Sequence, residues 1–159
     1  MTEERPGRAD WQIYVHPAFS ETFDALVAEV GRLRSADPVR YAEHPKAKLL
    51  KRIVDLIATE IPRNPAANEF SLGNTLGPAH RHWRRAKFLG RFRLFFRYSS
   101  KARVIIYAWV NDENTLRQAG GRNDPYSVFG RLLRRGSPPD DWNALIQQCT
   151  SLRHPQPRD

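Results

Sequence analysis

Trp83-Arg-Arg-Ala-Lys-Phe-Leu-Gly-Arg-Phe-Arg-Leu-Phe-Phe-Arg-Tyr-Ser99, followed after a short gap by Arg103-Val-Ile-Ile-Tyr-Ala-Trp-Val110, is the stretch that decides the fold. Its apolar residues recur with a period of two. Phe92, Leu94, Phe96 and Tyr98 fall on one face of a strand; Arg91, Arg93 and Arg97, interrupted by Phe95, fall on the other. Trp83 to Phe88 reads as a preceding strand with Leu89-Gly90 as the turn. Arg103 to Val110 reads as a third, rich in the β-branched and aromatic residues that strands prefer. Connections this short imply an antiparallel meander. One face can pack on helices while the other carries arginines in solvent.

Upstream the period changes. Phe23, Leu26, Val27, Val30 and Leu33 recur at helical spacing, which predicts a helix from about Ser20 to Arg34 with Ser20 as its cap. Asp37-Pro38 is a start signal for a second helix, running to about Ile61 on a stripe of Leu49, Leu50, Ile53, Val54, Ile57 and Ile61, and ended by Pro62. Pro62 to Ala79 reads as a loop that Phe70 and Leu72 pin to the core. Downstream, Gly120-Gly121 mark a flexible loop. Asp124-Pro125 opens a short helix that Gly136 stops, and Ser137-Pro138-Pro139 starts a last one. Helices, antiparallel strands, then short helices define an α+β fold: two N-terminal helices on a sheet of three to four strands. One domain over 11–152 is expected, with flexible tails at 1–10 and 153–159.

The formal charge is +9, and its distribution matters more than its size. No acidic residue lies between Glu69 and Asp112, while that window holds Arg81, Arg84, Arg85, Lys87, Arg91, Arg93, Arg97, Lys101 and Arg103. Like charges repel, so a fold tolerates such a segment most easily when a polyanion neutralises it, and nucleic acid is the commonest one. The single cysteine, Cys149, excludes an internal disulfide and a cysteine-based metal site, as suits a reducing cytoplasm. No apolar run is long enough to span a bilayer, and no signal-peptide core stands near Met1.

Phosphate-binding Gly-Lys-Ser loops, dinucleotide fingerprints and helical histidine pairs are absent. His80 and His82 lie two apart but lack enough partner ligands for a metal; phosphate contact or proton transfer is the alternative to a solvated loop end. The informative constellation is on the strands. Arg85 and Lys87 share a face of the first, and a hairpin sets them beside Arg91, Arg93 and Arg97 of the second. Such crowding makes sense around the dianionic phosphorane of phosphodiester cleavage, where preorganised guanidiniums favour the transition state. A basic, water-facing edge that guards against aggregation explains the same spacing equally well.

Longer segments carry a resemblance. Trp83 to Ser99 is similar to the core strands of the YhaV family of toxins, as is Val104-Ile-Ile-Tyr-Ala-Trp-Val-Asn-Asp-Glu-Asn-Thr-Leu-Arg117. Trp11 to Pro17, with Tyr14 and His16, resembles the family's start; Asp124-Pro-Tyr126 and Gly136-Ser-Pro-Pro-Asp-Asp-Trp142 resemble its end. The likeness runs from about Trp11 to Leu152. It implies a RelE-like fold and the toxin half of a type II toxin–antitoxin pair. The implied activity is metal-independent and cofactor-free cleavage of mRNA in association with ribosomes, which inhibits translation and growth. The implied partner is an antitoxin of the swapped-hairpin AbrB type (PrlF-like). The wider RelE group relies on basic strand residues and often a tyrosine, which places Arg85, Lys87, Arg93, Arg117 and Tyr126 in the catalytic set. His82, Arg84, Arg91 and Arg97 are the expected RNA contacts. In the mechanism this implies, the ribose 2′-hydroxyl attacks phosphorus, Lys87 accepts the proton, Arg85 and Arg93 hold the non-bridging oxygens, and Tyr126, Arg117 or His82 assists the leaving 5′-oxygen. A non-catalytic RNA- or ribosome-binding module, or a subunit docking an acidic protein, remains compatible with the charge pattern.

Overall fold

The computed structural model describes residues 11–112 and 124–152. In chain order they form β1 (Gln12–Val15), α1 (Pro17–Ala36), a 3-10 turn (Tyr41–Glu43), α2 (Pro45–Asp55) and a π-helical segment (Leu56–Glu60) closed by a last turn (Ile61–Arg63). After short 3-10 turns come β2 (Arg84–Phe88), β3 (Phe92–Ser99), β4 (Val104–Val110), α3 (Pro125–Arg135), α4 (Trp142–Gln147) and β5 (Thr150–Ser151). The class is α+β, as expected, and the three-strand meander stands within one residue of its predicted limits.

The sheet has five strands, in the order β2-β3-β4-β1-β5, rather than three to four, and it is mixed. β1 pairs in parallel with β4, and the two-residue β5 pairs antiparallel with β1. Gln12–Val15 is too short to declare itself by periodicity; it becomes a strand because β4 offers it a complete ladder. All seven residues of β4 are buried, which is the signature of a central strand covered on both faces.

α1 starts earlier than predicted. His16, not Ser20, caps it: the His16 Nδ1 accepts the Ala18 N–H at 3.0 Å, and Pro17 takes the first helical position. With Nδ1 accepting, Nε2 is the donor to Gln148 Oε1 at 2.8 Å, so the cap also ties α1 to the C-terminal segment. The expected second helix is broken into α2 and a π segment, and Pro62 lies inside its last turn instead of ending it. Proline removes an N–H and crowds the carbonyl four residues back; a wider π turn relieves that crowding. Ile61 N–H reaches back to the Leu56 carbonyl. The next carbonyl, that of Ile57, would take the N–H that Pro62 lacks. The wholly buried Tyr107 hydroxyl donates to it instead, at 2.8 Å.

Two clusters bury the sheet. On one face Phe19, Leu26, Val30, Ile53, Leu56 and Ile61 of the N-terminal helical layer pack on Leu94, Phe96, Ile105 and Tyr107. On the other, Phe129 and Leu133 of α3 and Leu145 of α4 cover Trp83, Phe95, Ile106 and Trp109. The second face is therefore not the open arginine surface expected from alternation. An irregularity in the β3–β4 register, where Phe95 pairs with Trp109 and Phe96 with Tyr107, puts Ala108 and Trp109 on the same side. That bulge turns Trp109 beneath α3, where its ring lies 5.7 Å from Phe129, itself stacked 4.3 Å from Phe95.

Tyr107→Phe deletes the hydroxyl that meets the Ile57 carbonyl. It is expected to lower stability by about 1–3 kcal/mol, the cost of stranding a buried acceptor. Chemical denaturation checks this; an unchanged midpoint would show the carbonyl to be satisfied otherwise.

Candidate active site

The β2–β3 register sets Lys87 opposite Arg93 and Arg85 opposite Phe95. Arg85, Lys87 and Arg93 therefore rise from one face of the hairpin, beyond the edge of the aromatic layer. Asp124 caps α3 by accepting the Ser127 N–H, and Pro125 fixes its first turn. Tyr126 follows directly, and its ring meets Phe95 edge-on at 5.7 Å. Its hydroxyl oxygen accepts from Arg85 Nη1 at 2.9 Å and from Arg93 Nε at 3.0 Å. Each guanidinium carbon lies 5.9 Å from the phenol centroid. Both lone pairs of that oxygen are then spent, so the phenolic O–H points away from the arginines and is free to donate.

The remaining partners of these cations are neutral. Arg85 Nη2 donates to the Ser71 carbonyl, and Arg93 Nη1 to the carbonyls of Gly90 and Phe92. Arg85 Nε is buried with no acceptor among the described residues. No hydrogen bond or ion pair holds Lys87 among the described residues, and it is exposed. No described carboxylate bonds to Arg85, Lys87 or Arg93. Among the described residues geometry is thus fixed with no carboxylate bonded to these cations, which is what preorganisation for an anion requires. Asn111, which sequence reasoning missed, anchors the hairpin: its buried side chain accepts from Arg93 N–H at 2.7 Å and donates to the Arg91 carbonyl at 3.2 Å. A polar residue closing an all-apolar strand is the signal that could have found it.

The other expected contacts lie elsewhere. Arg84 turns to the opposite face, 5.6 Å over the Tyr98 ring. Arg97 shares the face of Arg93 but is clasped between Trp83 and Trp142 at 5.4 and 5.3 Å, and donates to the Asp140 carbonyl. Burial lowers its pKa, against the opposing fields of Asp140 and Asp141. Arg91 is exposed near the hairpin turn. Arg117 lies outside the described residues. His82 joins a second polar cluster at the far end of β2, where Asp140 Oδ1 meets His80 Nδ1 at 3.0 Å, His82 Nε2 at 3.1 Å and the Trp83 indole N–H at 2.8 Å. Asp140 is visible in the sequence only as part of a Pro-Pro-Asp-Asp turn. Partial burial raises its pKa, but the hydrogen bonds from Trp83 and His80 and the nearby imidazoles win, so it sits below the ordinary carboxylate value. His82 is shifted down by burial and by Arg97, which together outweigh Asp140.

Neighbouring strands bring Arg85, Lys87 and Arg93 to one face, beside the Tyr126 phenol, an arrangement with the chemistry to receive an anion. Comparison with known proteins narrows this. A family model described as a toxin with endonuclease activity, of a toxin–antitoxin system, matches residues 13–150. A protein named toxin YhaV from Escherichia coli O6:H1 (strain CFT073) is 49% identical over 140 residues, 87% of this chain and 91% of that relative. One named ribonuclease toxin YhaV, from Escherichia coli strain K12, is 48% identical over 140 residues, with the same shares of each chain. No solved structure matches. The chain belongs to the YhaV family of toxins with endonuclease activity.

Because folding disfavours protonated His82, its neutral form contributes stability that is present above pH 6.5 and is lost as pH falls below that value. An NMR titration of the ring protons is expected to place the His82 midpoint below 6.5, and lower still in Asp140→Asn. A midpoint above 6.5 would mean that Asp140 dominates Arg97 and burial.

Proposed function

We propose that this chain is a RelE-like, metal-independent endoribonuclease, the toxin of a type II toxin–antitoxin pair. It cuts mRNA in association with ribosomes in the cytoplasm, and so inhibits translation and growth. A dedicated AbrB-type, PrlF-like antitoxin neutralises it. The observation that carries the reading is the phenol of Tyr126 held by Arg85 and Arg93. The RNA substrate is supported by the name of the K12 relative. No helix of the described residues is long and apolar enough to cross a membrane. Cys149, its thiol pushed up to about 12 by burial, takes no part in the chemistry.

A bond forms from the ribose 2′-oxygen to phosphorus, and the bond from phosphorus to the 5′-oxygen breaks. Lys87, facing Arg93 across the ladder, accepts the 2′-hydroxyl proton during the attack. Arg85 and Arg93 present their remaining N–H donors to the non-bridging oxygens as negative charge grows there. Tyr126 donates its outward proton to the leaving 5′-oxygen, and solvent restores it. The products are a 2′,3′-cyclic phosphate and a 5′-hydroxyl. Arg91, exposed near the hairpin turn, adds a phosphate contact, and Arg117 is the alternative to Tyr126 in assisting the leaving oxygen.

Arg93→Ala is expected to abolish cleavage, and Tyr126→Phe to lower kcat by about 10²–10⁴-fold, the usual worth of a proton-transfer group. Cleavage of purified RNA, with and without ribosomes, is read beside circular dichroism and a thermal melt. Full activity in folded variants removes these residues from the chemistry. RNA binding without cleavage by the wild type makes the protein a binding module instead.

A further inference from the structure

Tyr126 also walls an open cavity of about 550 Å³, bounded by Thr75, Leu76, Asp124, Arg131 and Arg134. That volume is in the range of about 300–1,000 Å³ typical of small-ligand sites. Arg131 and Arg134 stand three residues apart on α3 and so present their side chains together. Neither makes a hydrogen bond or ion pair with another described residue. Gly130 lies on the floor, close to both Arg134 and Leu76: a Cβ built there would be 3.6 Å from Arg134 Nη1 and 3.9 Å from Leu76. The Arg134 guanidinium thus lies back across the helix over Gly130. Asp124, spent in part on capping α3, is the acid on the rim.

We propose that this cavity seats the nucleotide adjoining the scissile phosphate, with Arg131 and Arg134 gripping its phosphate and the base entering beside Leu76 and Tyr126. The inference rests on the nuclease reading, because the shared tyrosine makes the cavity continuous with the cation cluster. Two guanidiniums with no described partner fit a phosphate. The carboxylate of Asp124 repels a phosphate on its own side and accepts an exocyclic amine, so it orients the nucleotide base-first towards α3's start. A base that stacks beside Leu76 and Tyr126 must be unpaired, so the strand taken is single-stranded RNA. Arg131 and Arg134 are positioning residues: they act on the strand and not on the reacting atoms.

The test uses the full chain, an RNA of about 20 nucleotides offered for cleavage, single-stranded as this recognition requires, and a shortened RNA that keeps the nucleotide adjoining the scissile linkage on the cavity side but lacks the phosphate that Arg131 and Arg134 would grip. Arg131→Ala/Arg134→Ala is compared with Arg135→Ala, a control on the same last turn that does not border the cavity. Expected are a roughly tenfold rise in KM for the long RNA, kcat within about twofold, and a slope of log affinity against log salt reduced by about 0.7 for each phosphate no longer gripped. On the shortened RNA the wild type should fall to the level of the double variant, and Arg135→Ala should behave as wild type throughout. Equal KM and equal salt slopes for wild type and double variant would overturn the subsite. Binding of the long RNA by fluorescence anisotropy separates the two readings. Weaker binding by the double variant, with cleavage by none of the proteins, would sink the nuclease reading and keep the RNA contact.

Discussion

The structure depends on how Arg85 and Arg93 are held. Both donate to one phenol oxygen, and their other acceptors among the described residues are main-chain carbonyls. Ion pairs would fix guanidiniums just as well but would also cancel their charge. Neutral acceptors fix the geometry and leave the field intact. Two cations brought to one oxygen repel each other, so the arrangement must be enforced by the scaffold around it.

That enforcement can be traced to particular residues. The Asn111 side chain clamps the main chain on either side of Phe92, which sets the angle of the hairpin carrying Arg93. The β3–β4 irregularity brings Trp109 to the face that already bears Phe95, and Phe129 stacks against both. α3 is thereby pressed on the sheet at the height that carries Tyr126 over the arginines. Its start is set by Asp124 and Pro125, and its end by Gly136 in the left-handed conformation that glycine adopts without strain. An ordinary aromatic core thus acts as the ruler that spaces the cations.

Much of this is legible in the amino-acid order. Alternation in Trp83–Val110 locates three strands, and the gap in acidic residues points to the cationic hairpin, because both signals are local. What escapes is non-local. β1 and β5 are too short to show a period and exist through pairing with strands remote in sequence. α1 is capped by a histidine, a residue outside the usual capping set. Pro62 reads as a stop, whereas a π turn and a hydroxyl from β4 accommodate it. Parity places Arg97 beside Arg93 but cannot show that two tryptophans enclose it. Arg84 groups with the RNA contacts by charge, although its position in the strand alternates away from Arg85. The meeting of Tyr126 with Arg85 and Arg93 follows from family likeness alone, since no spacing links residues so far apart.

The central claim is that no described carboxylate offsets these cations, which leaves them suited to a polyanion. The most direct measurement is the thermal unfolding midpoint of wild type and Lys87→Gln at low ionic strength, taken without nucleic acid and with a single-stranded RNA whose 2′-hydroxyl at the cleaved position is replaced by hydrogen. The account predicts that the variant melts at or above the wild type when free, since like-charge repulsion is relieved, and below it when bound. A variant that melts lower when free, with no difference in the shift on adding RNA, would show that Lys87 serves the fold and would contradict the account.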